Sequence, residues 1–376
     1  MNRIQQLYKE WQSLQPLDEK LERGINQQFM IDFNYNSNHL EGNTLTYGQT
    51  KLLLLFGDTI GNASIQDYEE MKAHNVGLEL MKVEAKDRNR MLSENFIREL
   101  NQTILVRDFY KTSRDGDYRY KINVGVYKTR PNSVITPTGE IFNYASPEET
   151  PSLMGDLVEW YRNEEERGKL KVEELAAIFH YRYIRIHPFE DGNGRIARLL
   201  VNYILLRHNY PMLVVRSDDR NNYLKALRQC DLLTGKMTSD GAHATLQQTK
   251  PLIDYISAIL ENKLTALIQL AKGEISEFIE AIEKTVEKTV EKTVDKNVDK
   301  ILSALQDNPK ITQADLVKIT GLSRRGVEWN IAKLKTDGII ERVGGKKEGY
   351  WKIRNHIDDH YKKPLLHQNT NISICK

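Results

Sequence analysis

Residues 187–198, His-Pro-Phe-Glu-Asp-Gly-Asn-Gly-Arg-Ile-Ala-Arg, restrict the backbone more than any other segment of this chain. Pro188 disfavours helical geometry at the residue before it, so the helical pattern that precedes it is expected to end near Ile186. The turn Gly192–Gly194 is flexible enough for its backbone N–H groups to approach an anion closely. A second helical pattern starts at Arg195, and the positive end of such a helix favours phosphate. The segment therefore predicts two helices joined by an anion-binding turn.

The charged side chains of the same segment form a set suited to phosphate chemistry. Arg195 and Arg198 are three residues apart and share one edge of the second helix, where they can hold a polyphosphate. Asp191 offers a hard oxygen ligand for Mg²⁺, which binds through one or two carboxylates and the phosphates of a substrate. His187 is the nearby group whose ordinary pKa suits a general base at neutral pH. Each residue alone is more often structural, but their combination within twelve residues favours a catalytic site.

This segment matches the signature of the Fic family in full: His, any residue, Phe, any residue, Asp or Glu, Gly-Asn-Gly-Arg, two residues and Arg. The resemblance extends over roughly residues 30–260. It implies a mainly α fold, a Fic-type helical bundle with a β-hairpin flap, and transfer of AMP from ATP to a Ser, Thr or Tyr hydroxyl of a target protein. The intact Gly-Asn-Gly-Arg favours AMP transfer over the phosphorylation and phosphocholine transfer that also occur in the family.

The resemblance implies a role for each position of the signature. His187 would deprotonate the target hydroxyl, Asp191 would hold Mg²⁺, and Phe189 would pin the loop into the core. The phosphates of ATP would lie against Gly192, Asn193, Gly194, Arg195 and Arg198. Downstream, Asn222 and Tyr223 resemble the family position that contacts the adenosine, although a tyrosine on an amphipathic helix is more often part of the core.

A second motif lies upstream, where Ser37–Asn43 reads Ser-Asn-His-Leu-Glu-Gly-Asn. It matches the inhibitory pattern of Fic proteins: Ser or Thr, three residues, Glu, then Gly or Asn. Ser37 and Glu41 are four residues apart and share a helical face, and Gly42 can end that helix. In the family this glutamate pairs with the second arginine of the signature, here Arg198, and obstructs productive ATP binding. The resemblance therefore implies an N-terminal inhibitory helix of the class II type.

Most of the remaining chain reads as helix, because apolar residues recur at three- and four-residue spacing. This pattern is clearest in Glu173–Ile186, Arg195–His208 and Leu252–Leu270. Residues Asn123–Ser146 break the pattern with β-branched and aromatic residues between prolines and a glycine, which predicts a short hairpin and a following extended stretch. The flap of the family, which would hold the backbone of the target, would then lie in Asn123–Ile135.

The C-terminal quarter reads as a separate domain behind a repeat. Residues 283–300 repeat Glu-Lys-Thr-Val and its variants, which is compatible with a connecting helix that packing stabilises or with a flexible tether. The following Ile301–Ile353 reads as three helices and a hairpin, and it resembles a winged helix-turn-helix domain, a small α/β unit. Its candidate recognition helix and wing carry Arg324, Arg325, Asn330, Lys333, Lys346 and Lys347. These residues favour DNA binding, and a protein–protein contact module is the alternative.

These patterns divide the chain into an N-terminal helical region with the inhibitory motif (1–95), a Fic catalytic domain (96–270), a connecting repeat helix or linker (271–300), a winged helix-turn-helix domain (301–356) and a tail (357–376). The formal net charge of +2 predicts no global attraction to nucleic acid or to a membrane. The longest aliphatic run, Leu52–Phe56, is too short to span a bilayer. Cys230 and Cys375 are too far apart in sequence to indicate a disulfide framework or a metal pair. A soluble, cytoplasmic protein is expected.

The function that these motifs favour is an autoinhibited protein adenylyltransferase that uses ATP and Mg²⁺. A nucleotide-sensing, DNA-binding transcription regulator is the alternative from another class, and removal of AMP from modified targets by the same site also stays open. A metallohydrolase built on His180, His187 and Asp191 would leave the arginines and glycines unexplained. The expected partners are a target protein with a hydroxyl side chain and DNA bound through residues 301–356. The residue patterns do not decide between a monomer and a homodimer.

Overall fold

The computed structural model describes residues 2–59, 63–113, 116–135, 141–235, 238–273, 300–321, 324–336, 339–345 and 349–354. The chain divides into two compact units, the first containing the described residues 2–55 and 63–273 and the second those from 300 onward. The repeat, the wing lysines Lys346 and Lys347, Cys375 and the tail lie outside the described residues. No helix in the described ranges combines the length and apolar character needed to cross a bilayer.

The first unit is mainly helical, as predicted. Its helices are α1 (Arg3–Ser13), α2 (Glu19–His39), α3 (Tyr47–Phe56), α4 (Ile65–Lys86), α5 (Glu94–Leu105), α6 (Thr150–Arg167), α7 (Val172–Ile186), α8 (Asn193–Arg207), α9 (Arg220–Thr234), α10 (Thr238–Ala242) and α11 (Lys250–Ala271). Its strands are β1 (Phe109–Thr112), β2 (Arg119–Ile122), β3 (Ser133–Ile135) and β4 (Ile141–Asn143). They form two separate antiparallel hairpins, β1–β2 and β3–β4.

Helices α7 and α8 lie in the centre of the hydrophobic core of this unit. Their apolar side chains, among them Phe179, Tyr183, Leu199 and Tyr203, are fully buried. Helix α7 ends at Ile186, one residue before the His-Pro pair, as the proline predicted. Since both helices are anchored in the core, the turn between them has fixed ends.

The hairpins correct the prediction for the flap. A hairpin was expected within Asn123–Ser146, where β3 and β4 lie, but the flap was placed in Asn123–Ile135, and residues 123–130 contain no strand. Instead β3 pairs with β4 in the register Ser133↔Asn143 to Ile135↔Ile141, so the hairpin lies further along the chain. Hairpin β1–β2, with Phe109 opposite Ile122, was not predicted at all. Its strands contain aromatic and cationic residues, whereas the prediction relied on β-branched and aromatic residues between prolines.

The second unit has the elements expected of a winged helix-turn-helix. They are the helical residues 300–307 (α12), α13 (Gln313–Thr320), α14 (Arg324–Thr336), β5 (Ile340–Val343) and β6 (Tyr350–Ile353). Strands β5 and β6 pair antiparallel, with Ile340 opposite Ile353. A small core of its own, which includes Leu316, Val327 and Trp351, joins the helices to the hairpin.

Candidate active site

His187 stands immediately after α7, in a left-handed backbone conformation with φ 51° and ψ 61°. Its backbone N–H donates to the carbonyl oxygen of Tyr183 at 2.9 Å, which ends the helix. The imidazole stacks on the ring of Tyr144, which follows β4, with ring centroids 3.9 Å apart and an interplanar angle of 11°. The hairpin β3–β4 therefore contributes the side chain that covers one face of His187.

The electrostatic environment keeps the imidazole of His187 neutral. Burial, followed by the charge of Lys128, lowers the pKa of His187 to about 4, against smaller opposing effects of the Ile184 carbonyl, Glu41 and Asp191. Among the described residues Nδ1 has no hydrogen-bond partner. A neutral imidazole has a nitrogen lone pair available to accept a proton.

The loop that follows His187 is held by side-chain amides. Asn193 donates from Nδ2 to the carbonyl oxygen of Phe189 at 2.6 Å, and its Oδ1 accepts from the N–H of Phe189 at 3.0 Å. Asn132 donates to the carbonyl oxygens of His187 and Phe189 at 3.2 and 3.1 Å. Lys128 is buried and donates to Asn132 Oδ1 at 2.8 Å and to the carbonyl oxygen of Ile186 at 2.9 Å. These contacts hold the peptide groups on both sides of His187.

The turn into α8 has the geometry of an anion site. Gly192 precedes the helix with φ 81°, a conformation that side chains other than hydrogen disfavour. The first backbone N–H groups of α8, from Asn193 onward, have no acceptor within the helix and point towards its N-terminal end. Arg195 is buried and lies 3.4 Å from Asp191 Oδ1 and 3.6 Å from Glu70 Oε2.

Arg198 and Glu41 form an ion pair at this site. Arg198 Nη2 donates to Glu41 Oε1 at 2.8 Å, and the guanidinium also donates to the hydroxyl and carbonyl oxygens of Ser37 at 3.0 and 2.8 Å. Burial raises the pKa of Glu41, but the charges of Arg198 and Arg195 and the hydrogen bond from Arg198 outweigh it and lower the pKa. A Cβ placed on Gly194 would collide with Glu41 Oε1. A carboxylate therefore lies directly against the first turn of α8.

Asp191 faces a lysine that the sequence did not indicate. Lys111 Nζ, from β1, lies 2.5 Å from Asp191 Oδ2, while the N–H of Gly192 donates to Oδ1. Burial raises the pKa of Asp191, but the charges of Lys111 and Arg195 lower it by more than burial raises it. The net shift of this pKa is therefore downward. No group of three or more His, Cys, Asp or Glu side chains suited to a metal occurs in the described ranges. A single ionised carboxylate that already attracts a cation fits Mg²⁺, which completes its coordination with water and phosphate oxygens.

Of the two downstream residues that the sequence indicated, Tyr223 lies beside the ion pair and Asn222 lies at the surface. Burial raises the pKa of Tyr223 to about 12, and Arg198 opposes this shift through its charge and a hydrogen bond with the hydroxyl. Tyr223 is buried, and its hydroxyl lies 2.7 Å from His180 Nε2 in the core. Asn222 is exposed and donates to Asp219 Oδ1 at 2.6 Å. Tyr223 is therefore buried beside the site, and its contact with adenosine stays a prediction.

Sequence reasoning missed the residues that other elements bring to the signature. These are Glu70 on α4, Lys111 on β1, and Lys128, Asn132 and Tyr144 around β3 and β4. The aromatic and β-branched residues in Phe109–Thr112 and Arg119–Ile122 could have indicated the first hairpin. Nothing in the sequence indicated which of its cations would face Asp191.

Two family models match this chain. The Fic/DOC family matches residues 91–205, and a model described as winged helix-turn-helix DNA-binding matches residues 295–341. The first match includes α7, the signature loop and most of α8. The second includes the three helices of the second unit.

Several known proteins are similar to this chain. The crystal structure of a Fic domain containing signaling protein from Bacteroides thetaiotaomicron is 60% identical, with a TM-score of 0.68, and the match covers 72% of this chain and 97% of that one. Protein adenylyltransferase fic-1 from Caenorhabditis elegans is 29% identical over 256 residues, which are 66% of this chain and 46% of that protein. Protein adenylyltransferase Fic from Nematostella vectensis is 27% identical over 52% of this chain and 42% of that protein. The chain spans less than half the length of these two curated relatives.

Proposed function

This chain belongs to the Fic/DOC family, and on that basis we propose that it is a protein adenylyltransferase inhibited by its own Glu41. The reaction transfers AMP from ATP to a Ser, Thr or Tyr hydroxyl of a target protein and releases pyrophosphate. We place it in the cytoplasm, whose reducing conditions suit the buried free thiol of Cys230.

One observation carries this proposal: the N-terminal turn of α8 already holds an anion, the carboxylate of Glu41, within the same cluster as His187. The contact with Arg198 at 2.8 Å and the close approach to Gly194 mark a position for a negatively charged oxygen. Helix N-termini and arginine forks bind phosphate oxygens in the same way. A triphosphate bound there has its negative charge beside the neutral, half-buried imidazole of His187.

His187 acts as the general base. The hydroxyl proton of the target moves to an imidazole nitrogen while the hydroxyl oxygen attacks the α-phosphorus, and the bond from that phosphorus to the bridging oxygen of pyrophosphate breaks. Neutral His187 can accept the proton because its pKa is lowered to about 4 in the free protein. The negative charge of a bound triphosphate raises this pKa and so strengthens the base in the complex.

Arg195 and the backbone N–H groups at the start of α8 stabilise the charge on the phosphates. The side-chain amide of Asn193 already forms hydrogen bonds with the backbone of Phe189. We therefore assign the phosphate contact of Asn193 to its backbone N–H. Asp191 would hold Mg²⁺, which supplies positive charge to the phosphates when it is bound. The stacked ring of Tyr144 and the amide of Asn132 keep His187 in place during proton transfer.

Glu41 inhibits because it forms an ion pair with the guanidinium of Arg198, which the terminal phosphate of ATP needs. A hydrogen bond between charged groups contributes about 1.5–3 kcal/mol, and about 1.4 kcal/mol corresponds to tenfold in an equilibrium. The Glu41 side chain is 40% exposed, which places the pair at the lower end of this range. ATP must therefore compete with a carboxylate that is part of the protein.

The test uses ATP labelled at the α-phosphate, with the full chain and a lysate as the source of targets. Glu41→Gly should raise the initial rate of AMP incorporation into protein by about ten- to hundredfold, because Arg198 is freed. Glu41→Asp should be intermediate, since the shorter side chain weakens the pair. His187→Ala, in the Glu41→Gly background, should lower the rate by at least ~10²-fold. Arg198→Ala should not activate, because ATP needs the same guanidinium.

Two outcomes would contradict this function. A folded Glu41→Gly protein that is no faster than the wild type would mean that the ion pair does not inhibit. Label transfer that survives in folded His187→Ala would exclude His187 as the base.

A second function, DNA binding, is favoured by the family match of residues 295–341 to winged helix-turn-helix DNA-binding domains. Helix α14 carries Arg324 on its exposed side, where it pairs with Glu328 at 3.1 Å. A cationic helix of this kind contacts phosphates and base edges in the major groove. We propose that this unit directs the enzyme to DNA or to proteins bound there.

A further inference from the structure

Lys111 reaches the signature from outside it. Its strand β1 pairs with β2, and Lys111 lies opposite Tyr120 on the face of the hairpin that also contains the buried Ile122. The ammonium group is 2.5 Å from Asp191 Oδ2. The other face of the hairpin carries Lys121, which is exposed and pairs with Asp108 at 2.7 Å. The hairpin therefore directs one of these two lysines to the site and the other away from it.

Three charged groups of the signature, Asp191, Arg195 and Arg198, are paired with groups of opposite charge. Glu41 from the end of α2 pairs with Arg198, and Glu70 from α4 lies 3.6 Å from Arg195. Lys111 gives Asp191 a positive charge in the same way. Glu41 lies where an anionic ligand would bind to Arg198, and Lys111 lies where a cation would bind to the carboxylate of Asp191.

We infer that Lys111 is an internal counter-ion that competes with the divalent metal for Asp191. The inference rests on the proposed function in that it takes Asp191 as the metal ligand. Two cations at one carboxylate oxygen repel each other, and this repulsion is large where water is partly excluded. A metal ion can bind Asp191 only when the ammonium moves away. Metal binding thus breaks the contact between Lys111 and the signature loop.

The competition has a measurable size. Lys111 and Asp191 are partly exposed, with side-chain exposures of 41% and 24%. Their ion pair is therefore weaker than a fully buried ion pair. Removing the competing charge should tighten metal binding by about two- to fivefold, which is the range expected for a partly screened ion pair.

The experiment titrates Mn²⁺ into the full, nucleotide-free chain and follows free Mn²⁺ by electron paramagnetic resonance. Lys111→Met should lower the dissociation constant by about two- to fivefold. Lys111→Arg, which keeps the charge, should bind as the wild type does. Lys121→Met is the matched control, because it removes one lysine from the same hairpin but from the opposite face, and it should leave the dissociation constant unchanged.

Asp191→Asn separates this inference from the proposed function. If Lys111→Met binds Mn²⁺ more tightly than the wild type, and the double variant Lys111→Met/Asp191→Asn does not, the competition occurs at Asp191. If Lys111→Met and wild type bind Mn²⁺ equally, or neither binds it, the inference is wrong while the Glu41→Gly test of the enzyme is unaffected. If the gain persists in the double variant, Asp191 is not the metal ligand, and both the inference and that part of the proposed function fail.

Discussion

At the scale of single residues, the protonation state of His187 depends on a neighbouring lysine. Lys128 is buried, and burial lowers its own pKa to about 8, so most of it remains charged at neutral pH. That charge is one of the causes that lower the pKa of His187 to about 4. Since the neutral imidazole is the active form, activity should be retained above this pKa and lost as the pH falls through it.

Lys128→Met should therefore move the acid limb of the pH–rate profile upward, towards the ordinary histidine pKa of about 6.5. The measurement is kcat/KM for AMP transfer against pH in the Glu41→Gly background, because kcat/KM reports the free enzyme. Lys128→Arg keeps the charge and should keep the acid limb near its original pH. If Lys128→Met lowers the rate equally at every pH, the lysine acts through its hydrogen bonds to Asn132 and Ile186 and not through its charge.

The sequence predicted the signature residues well because they are consecutive, and their backbone restrictions can be read locally. Pro188 and Gly192 stand where the structure has the helix end and the left-handed turn. Tyr144 and Lys111 could not be predicted, because their contacts depend on how two hairpins lie over the loop. Tyr223 is buried, as the amphipathic pattern indicated, and it lies beside Arg198, so its contact with adenosine stays a prediction.

At the scale of elements, α2 is anchored differently along its length. Its middle buries the aromatic rings of Phe29 and Phe33 in the main core. Its last two turns bury the amides of Asn34, Asn36 and Asn38, which is an unusual set for a helix interface. Amides that leave such an interface can form hydrogen bonds with water, so the end of α2 can separate at a smaller cost than its middle.

Asn36 is the part of this interface that holds the end of α2 to the chain before α9. Its Oδ1 accepts from the N–H of Ser217 at 2.8 Å and from the Ser217 hydroxyl at 3.0 Å. Asn36→Ala should raise basal AMP incorporation by about threefold or more, because the anchor near Glu41 is lost. Ser217→Ala removes one of the two hydrogen bonds and should have a smaller effect. The initial rate of AMP incorporation is the measurement.

The same substitution in the Glu41→Gly background should have little further effect, since both changes act on one contact. If Asn36→Ala accelerates the Glu41→Gly protein as much as the wild type, the asparagine does not act through Glu41.

Helices could be predicted from the sequence where burial of one face gives the apolar residues a regular spacing. Helices α7, α8 and α14 follow the apolar spacing, and Thr46 and Gln49 form a capping box before α3. The buried asparagines of α2 reduce the apolar contrast along that helix, so its packing could not be deduced from periodicity. Hairpin β1–β2 was missed because it is largely exposed and its outward residues are charged.

At the scale of the whole molecule, the two units have separate hydrophobic cores. The core of the first contains residues from α1 to α11, and the core of the second contains residues from 301 to 353. All residues of the candidate active site belong to the first unit. The chemistry and the proposed DNA binding should therefore be separable.

A chain that ends at residue 283 should keep AMP incorporation within about twofold of the full chain in the Glu41→Gly background, since distant and independent sites do not couple. It should no longer retard duplex DNA at low salt, which the full chain should do. Lys346→Ala with Lys347→Ala is the control that keeps the full length, and it should weaken DNA binding and reduce its salt dependence. If neither the full chain nor the double variant retards DNA, the second unit is a protein contact module.

The close approach of Glu41 to Gly194 has a consequence for how the protein can change by mutation. Any side chain at position 194 would push Glu41 away, but it would also fill the space that a phosphate oxygen needs. Arg198 is constrained in the same way, because it serves both the inhibitor and the substrate. A genetic selection for constitutive activity should thus recover substitutions at Glu41, Ser37 and the end of α2, and none within the signature, whose residues cannot lose regulation without losing the reaction.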